Sequence, residues 1–68
     1  MGTVARVTEI SAMSPNGFEE AIKVGLERAS QTLRGITSAW VKEQRVDISD
    51  GAIVSYQVNL MVTFVLDD

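Results

Sequence analysis

The sequence predicts an α+β fold with the element order β-α-β-β, in which one helix packs on a three-stranded antiparallel sheet. Two periodicities indicate this fold. Apolar residues recur every three or four positions in the first half of the chain, as in a helix, and at every second position in the last third, as in a strand with one buried face. With 68 residues, no internal repeat and no linker, the chain is expected to form a single domain over residues 1–68.

The first element is predicted to be a strand over residues 3–13. Val4, Val7 and Ile10 are spaced by three, and this spacing by itself does not separate a strand from a helix. The Thr and Val content of the segment favours a strand, because β-branched side chains pack well on a pleated sheet. The start of a helix directly after it favours the same assignment.

The second element is predicted to be a helix over residues 15–34. Ser14 is expected to cap its N-terminus, because the proline that follows suits the first helical position. Met13 and Phe18 have the spacing of a hydrophobic staple, and Gly35 is expected to end the helix. One apolar stripe is expected to face the sheet, formed by Phe18, Ile22, Leu26, Ala29 and Leu33.

The last two elements are predicted to form a hairpin. Eight alternate positions from 52 to 66 are apolar or aromatic, which indicates a long strand with one buried face. Residues 36–48 are rich in β-branched side chains and are predicted to be its partner. Asp50-Gly51 between the two segments is a turn signal of the two-residue type.

A two-residue turn at Asp50-Gly51 would determine which side chains share a face of the hairpin. One face is expected to lie under the helix and to carry Ala39, Val41, Val58, Leu60, Val62 and Phe64, with Glu43, Arg45 and Asp47 extending it toward the turn. The other face is expected to pair Ile48 with Ile53, Val46 with Ser55, Gln44 with Gln57, Lys42 with Asn59, Trp40 with Met61, and Ser38 with Thr63.

Two readings of this second face remain open. Fixed carboxamides beside an indole suit a flat heteroaromatic ligand, since the amides can bind its polar edge while the indole stacks on its ring. Alternatively, the face is half-solvated and partly covered by another subunit, with Trp40 as the interface anchor. From the residues alone, the subunit interpretation is favoured over the ligand.

Length and composition predict that the chain associates with other chains. A strand of ~15 residues spans roughly 50 Å at ~3.4 Å per residue, whereas a helix of ~20 residues spans roughly 30 Å, so the helix cannot cover the whole hairpin. The sequence has no Cys and no His, which excludes a disulfide and a zinc site. Partner chains, a ligand or an oxygen-coordinated cation are then the remaining sources of extra stability.

Several classes of function are not expected. A net charge of −3 without a basic stripe disfavours nucleic-acid binding. No segment approaches the ~20 apolar residues of a membrane helix, and the N-terminus has no apolar core of a signal peptide, so a cytoplasmic protein is expected. The missing Cys and His exclude the common nucleophilic triads, and no enzymatic activity is expected.

The chain resembles the dodecin family of small β-α-β-β proteins, which assemble into hollow dodecamers and commonly bind flavins. Three stretches carry the resemblance at matching order and spacing: residues 7–10 (VTEI) running into 14–22 (SPNGFEEAI), residues 28–34 (RASQTLR), and residues 56–66 (YQVNLMVTFVL). Together they extend the resemblance over about residues 4–66. It implies a homo-dodecamer that holds riboflavin, FMN or FAD between subunits and sequesters it without catalysis.

The resemblance also implies binding residues. In flavin-binding dodecins a Trp on the first hairpin strand stacks on the isoalloxazine ring and a Gln on the last strand binds its polar edge. The Gln corresponds to Gln57, whereas Ser38 stands at the family's Trp position. Trp40 lies two residues further, about 6.8 Å along the strand and on the same face. Glu43 and Gln44 match positions that line the pocket and its approach.

The serine at the family's Trp position leaves a second function open. Some dodecin-like proteins without this Trp are associated with calcium, so the alternative is a dodecin-like shell that binds no flavin and has a structural, storage or cation-binding role. The segment around Asp50 has no EF-hand pattern, because its Gly comes too early and no Glu follows at the required distance. A calcium site would need carboxylates from several subunits, and no metal ligands are assigned.

Overall fold

The computed structural model describes residues 2–66 and has the predicted element order. The elements are β1 (Ala5–Ser14), α1 (Phe18–Ser30), β2 (Ile36–Ser49) and β3 (Ala52–Val65). They form one three-stranded sheet in the order β1-β3-β2, and both pairs of neighbouring strands are antiparallel. The predicted α+β class, with one helix on an antiparallel sheet, is confirmed.

The hydrophobic core lies between α1 and the middle of β3. Val58, Leu60 and Val62 are fully buried there, as alternation along β3 predicts. A Cβ atom at Gly25 of α1 would lie 2.9 Å from Ala12 Cβ and 3.3 Å from Leu60 Cδ1. Because there is no room for a side chain, Gly25 allows the helix to approach the sheet closely. Partly buried residues complete the core, namely Ile10, Phe18, Ile22, Leu26, Leu33, Ile36 and Ala39.

The predicted start of the helix is wrong. The chain continues in β1 as far as Ser14, and α1 begins at Phe18 with Gly17 in the N-cap position and no side-chain cap. Ser14 is buried and accepts a hydrogen bond from the Asn16 N–H while its hydroxyl donates to Glu20. These bonds form a connecting turn instead of a cap. The staple is also absent, because Met13 is 54% exposed and does not pack on the core.

The Glu20 carboxylate is expected to stabilise this turn near neutral pH. The Ser14 hydroxyl and then the Asn16 side-chain amide donate to it, and they hold the pKa of Glu20 below its ordinary 4.5. A carboxyl whose pKa is lowered by folding stabilises the native state above its unfolded pKa, and this effect disappears as the pH falls through the folded pKa. We therefore expect Glu20→Gln to lower the melting temperature at neutral pH, since a neutral amide accepts a weaker hydrogen bond.

Melting temperatures of the parent protein and Glu20→Gln, measured across a pH series, check this expectation. The difference between them is expected to shrink once the pH falls below 4.5. Comparing the two proteins cancels the titration of the other carboxyl groups. A difference that stays constant from neutral to strongly acidic pH would show that the charge of Glu20 has no role in the turn.

The helix also ends earlier than predicted. α1 ends at Ser30, and Gln31 is its C-cap. Leu33 N–H still donates to Ala29 O at 2.9 Å, so the chain makes one further turn before β2. Gly35 has φ 73° and its carbonyl accepts from Val65 N–H at 3.0 Å. A Cβ at Gly35 would lie 3.1 Å from Val65 O. Gly35 is therefore required for entry into the sheet and does not end the helix.

The hairpin turn at Asp50-Gly51 is confirmed. Both residues have positive φ angles, 50° and 78°, as a type I′ turn requires. Next to the turn Ile48 faces Ile53, as predicted, but the pair lies on the helix side of the sheet and not on the face of Trp40, because the unpaired Lys42 reverses the faces of the residues that follow it in β2. At the far end of the hairpin two more predicted pairs are confirmed, since Trp40 faces Met61 and Ser38 faces Thr63.

Between these ends the predicted register is wrong by one residue. Val54 has no partner on β2 and Lys42 has none on β3, so one irregularity introduces the shift and the other cancels it. A third irregularity leaves Thr37 unpaired near the start of β2. The pairs observed in the shifted segment are Glu43 with Asn59, Gln44 with Val58, Arg45 with Gln57, Val46 with Tyr56, and Asp47 with Ser55.

The protomer is too extended to be a self-sufficient compact domain. Its extents are 54 × 20 × 13 Å and its radius of gyration is 14.2 Å, against ~11 Å for a compact chain of this length. Its accessible surface is 4987 Å², whereas a compact monomer of 7.4 kDa exposes about 4200 Å². Exposed large hydrophobic side chains lie at both ends of the sheet, Val4 and Leu66 at one end and Ile48, Ile53 and Val54 at the other. The shape therefore agrees with the predicted association of chains.

Candidate ligand-binding face

The face of the sheet turned away from α1, here called the outer face, carries the candidate binding residues. Residues directly opposite each other on neighbouring strands share a face. The outer face can therefore be read as cross-strand rows: Val7, Thr63 and Ser38; Glu9, Met61 and Trp40; Ser11, Asn59 and Glu43; Met13, Gln57 and Arg45. Four of the five predicted binding residues, Ser38, Trp40, Glu43 and Gln57, are in these rows.

Trp40 presents a large aromatic surface in the second row. It is 51% exposed, and its cross-strand neighbour is the partly buried Met61. An indole of this exposure, lying on a sheet face, is available for stacking by a flat ring or by a side chain of another chain. The structure thus places Trp40 where the sequence predicted it, two residues along β2 from Ser38.

An ion pair lies beside Trp40. The Lys42 ammonium lies 3.1 Å from Glu9 Oε1, although the two residues belong to β2 and β1, on either side of β3. Lys42 reaches across because it is the unpaired residue of the irregularity in β2. The hydrogen bond to Glu9 raises the pKa of Lys42 above its ordinary value. Both side chains are substantially exposed, so solvent screens the attraction and the pair adds little to stability.

Asn59 is the centre of a hydrogen-bond network in the third row. Its Oδ1 accepts from the Ser11 hydroxyl at 2.7 Å and from Gln57 Nε2 at 3.3 Å, and its Nδ2 donates to Glu43 Oε1 at 3.1 Å. Both amide ends of Asn59 are therefore engaged. These contacts orient the Gln57 amide and leave its carbonyl oxygen free to accept a further hydrogen bond.

Gln44 is the predicted binding residue that the structure separates from the others. It faces Val58 on the helix side of the sheet and not Gln57, because the one-residue shift moves every side chain of this segment to the opposite face. For the same reason Glu43, Arg45 and Asp47, which were predicted under the helix, lie on the outer face. Arg45 and Asp47 form an exposed ion pair there, with Nη2 and Oδ1 3.7 Å apart.

Trp40 and Gln57 lie in different cross-strand rows, far apart along β3. Met61, which faces Trp40, lies four residues after Gln57, or about 13 Å at ~3.3 Å per residue. This distance is longer than the ring system of a flavin, and the Gln57 amide is held by Asn59. Ser38 lies still further from Gln57. Trp40 and Gln57 of one protomer therefore cannot both contact the centre and the polar edge of one bound ring.

Sequence reasoning missed the part that β1 has in this face. Ser11 was not singled out, Met13 was considered only as a staple of the helix, and Glu9 was not connected with Lys42, with which it pairs. The alternation of Val7, Glu9, Ser11 and Met13 along β1 was the available signal, since alternate residues of a strand share a face.

In the part of the chain that the structure describes, no group of three or more acidic residues comes close enough together to hold a metal ion. No helix within residues 2–66 has the length and apolarity to cross a membrane.

Comparisons with known proteins agree with this architecture. The family model described as Dodecin matches residues 4–67. The dodecin of Thermus thermophilus is 40% identical over 68 residues, covering 100% of this chain and 99% of that protein. The solved dodecin of Streptomyces davaonensis is 41% identical with a TM-score of 0.93, and each chain is covered completely.

A more distant solved structure is also similar. It is the calcium dodecin of Mycobacterium tuberculosis, described as calcium-chelating with a novel calcium-binding site. It is 30% identical with a TM-score of 0.82, and 96% of this chain and 93% of that chain are covered. Fold, matched length and identity all agree, and this chain belongs to the dodecin family.

Proposed function

We propose that this chain is a non-enzymatic flavin-binding protein that assembles into a hollow homo-dodecamer and sequesters riboflavin, FMN or FAD between protomers. The observation that carries the proposal is the exposed indole of Trp40 on the outer face, on the same strand pair as the oriented amide of Gln57. Stacking of the isoalloxazine ring on the indole would bury one apolar face of each ring, and the Gln57 amide would bind the polar edge of the isoalloxazine.

The proposed site combines Trp40 of one protomer with Gln57 of a second. Asn59 lies midway between Gln57 and Met61 on β3, and Met61 marks the row of Trp40. If two outer faces meet around a two-fold axis that passes near Asn59 and runs perpendicular to the strands, the Trp40 row of each protomer lies over the Gln57 row of the other. A two-fold contact of this kind uses the same surface on both protomers, so it forms two equivalent sites.

The shape of the protomer supports the assembly part of the proposal. The chain exposes more surface and has a larger radius of gyration than a compact domain of its size. A two-fold contact through the outer face would cover Val7, Met13 and Trp40, which are all largely exposed. Burial of these side chains would supply the stability that the absent disulfides and zinc sites cannot provide.

Calcium binding is the second candidate, because a relative at 30% identity is described as calcium-chelating. Calcium prefers oxygen ligands from carboxylates and carbonyls. The outer-face carboxylates of Glu9 and Glu43 already accept hydrogen bonds from Lys42 and Asn59, and the exposed indole of Trp40 is suited to an aromatic ring. Trp40 therefore favours flavin over calcium for the outer face.

Fluorescence titration tests the flavin site. We expect riboflavin, FMN or FAD fluorescence to be quenched with saturation by the protein, together with the emission of Trp40, the only Trp of the chain. Stacking on an aromatic side chain contributes ~1–3 kcal/mol, so Trp40→Ala should raise the Kd roughly 10- to 100-fold. Glu27→Ala on the exposed surface of α1 is the matched control and should bind like the parent protein.

The same preparation tests assembly. A mass near the 7.4 kDa of one chain would refute the dodecamer, whatever the flavin result. Absence of quenching at micromolar protein in an intact assembly would refute flavin binding alone. If Trp40→Ala dissociated the assembly, the indole would be an interface anchor and not a stacking platform.

A further inference from the structure

The outer face carries more negative than positive charge. In the part of the chain that the structure describes, its charged side chains are three carboxylates and two cations, namely Glu9, Glu43, Asp47, Lys42 and Arg45. Each cation lies beside a carboxylate, since Lys42 is 3.1 Å from Glu9 and Arg45 is 3.7 Å from Asp47. Glu43 accepts a hydrogen bond from the neutral Asn59 amide. Three carboxylates against two cations leave an excess of one negative charge on the outer face of each protomer.

The hydrogen-bonding groups in the middle of the outer face have a similar bias. The Ser11 hydroxyl and the Gln57 amide both donate to Asn59 Oδ1. The Asn59 amide in turn donates to Glu43 Oε1. Within residues 2–66, Gln57 Oε1 and Glu43 Oε2 accept no hydrogen bond from another side chain. A ligand on this face therefore meets two free oxygen acceptors, which suit N–H and hydroxyl donors.

We propose that the outer-face site selects flavins whose ribityl chain ends in an uncharged hydroxyl group and discriminates against flavins that carry a phosphate. The inference rests on the proposed flavin site and specifies its ligand, which is riboflavin in preference to FMN or FAD. The ring N–H of the isoalloxazine can donate to Gln57 Oε1, and the ribityl hydroxyls can donate to Glu43 Oε2. A phosphate monoester carries a charge of about −1.5 to −2 at neutral pH and needs cations that are not already balanced.

Assembly adds no positive charge to the site. A two-fold contact between outer faces places each site between two surfaces that both have excess negative charge. Every further protomer is another copy of a chain with a net charge of −3. Charges within ~10 Å of a phosphate repel it at about 0.1 M salt. One excess charge at ~8 Å in a partly aqueous site corresponds to a Kd roughly 3- to 10-fold higher for FMN than for riboflavin.

Parallel titrations with riboflavin and FMN test the inference, because the two ligands have the same ring and ribityl chain and differ only in the phosphate. Flavin fluorescence quenching is measured for both ligands at low ionic strength and again at about 1 M salt. We expect riboflavin to bind roughly 3- to 10-fold more tightly at low ionic strength. The ratio of the two Kd values should approach one at about 1 M salt, where the screening length falls to ~3 Å.

Asp47→Asn is expected to change the ligand preference. It removes the carboxylate beside Arg45 and leaves the guanidinium free to pair with a phosphate. The affinity for FMN should rise roughly 3- to 10-fold, whereas the affinity for riboflavin should stay that of the parent protein. Glu27→Gln is the matched control, because it removes one negative charge from the exposed surface of α1, away from the outer face. It should leave the ratio of the two Kd values unchanged.

The possible results separate this inference from the proposed flavin site. Equal Kd values for riboflavin and FMN at low ionic strength, or a lower Kd for FMN, would overturn the selectivity and leave the flavin site intact. An equal change of the ratio in Glu27→Gln and Asp47→Asn would mean that the total charge, and not the outer face, sets the preference. Absence of quenching for both ligands would overturn the flavin site itself.

Discussion

Mixed assemblies of Trp40→Ala and Gln57→Ala protomers are expected to recover flavin sites that neither variant has alone. Each proposed site takes its indole from one protomer and its amide from the other. In a mixed pair one site loses both groups and the other keeps both. If equal amounts pair at random, about half of the pairs are mixed and about a quarter of all sites are intact.

Co-expression of the two variants and titration with riboflavin measures the recovered fraction. The pure Trp40→Ala and Gln57→Ala assemblies are the controls, and both should bind at least about tenfold more weakly than the parent protein. The mixed assembly is expected to show a parent-like Kd at a reduced number of sites. Binding that stays as weak as in the pure variants would mean that both residues act within one protomer or that neither contacts the ring.

Gly25→Val is expected to have the largest effect on stability. A Cβ at this position would already lie 2.9 Å from Ala12 Cβ and 3.3 Å from Leu60 Cδ1, and Val adds two methyl groups beyond it. Overpacking of a core costs about 1–3 kcal/mol and sometimes more, and here the opposing atoms belong to the short Ala12 on a rigid strand. At ~4–8 °C per kcal/mol in a domain of this size, the melting temperature should fall by ~10 °C or more.

Glu27→Val is the matched control, since it introduces the same side chain into the same helix at an exposed position. Its cost is limited to helix propensity, which is below ~0.7 kcal/mol. Both variants are compared by calorimetry at one protomer concentration, because assembly makes the melting temperature depend on concentration. Equal melting temperatures for the two variants would show that α1 can move away from β1 without penalty.

The helix illustrates which features could be predicted from sequence. Four of the five residues of its predicted apolar stripe lie on the helix and are buried or partly buried, because spacing of three and four is a property of the helix itself, and only Leu33 lies beyond its end. Its ends were wrong, because they depend on contacts outside the helix. Ser14, the expected N-cap, is the last residue of β1 and donates a hydrogen bond to Glu20. Gly35, the expected end of the helix, lies where the chain passes close to the Val65 backbone. Cap residues are predicted from local spacing, and neither of these two contacts can be inferred from local spacing.

The candidate site shows the same division. The prediction placed Trp40 and Ser38 on the correct face, because they pair with Met61 and Thr63 as the two-residue turn predicts. Between the two irregularities the prediction placed Gln44 on the outer face and Glu43 and Arg45 on the helix side, which is the reverse of the structure. A shift of one residue moves every side chain of the segment to the opposite face. No residue in the sequence marks Lys42 or Val54 as unpaired. The network around Asn59 was missed because its Ser11 comes from a strand distant in sequence.

The sequence by itself determined the element order, the two-residue turn and the buried side of β3, and it led to the expectation of partner chains. Each of these follows from local periodicity, from φ preferences or from the length of a strand compared with a helix. Only the tertiary structure decided the strand order, the register in the middle of the hairpin and the close approach at Gly25. These depend on contacts between segments far apart in the chain, and so does the distance between Trp40 and Gln57 that makes one protomer insufficient for the proposed site.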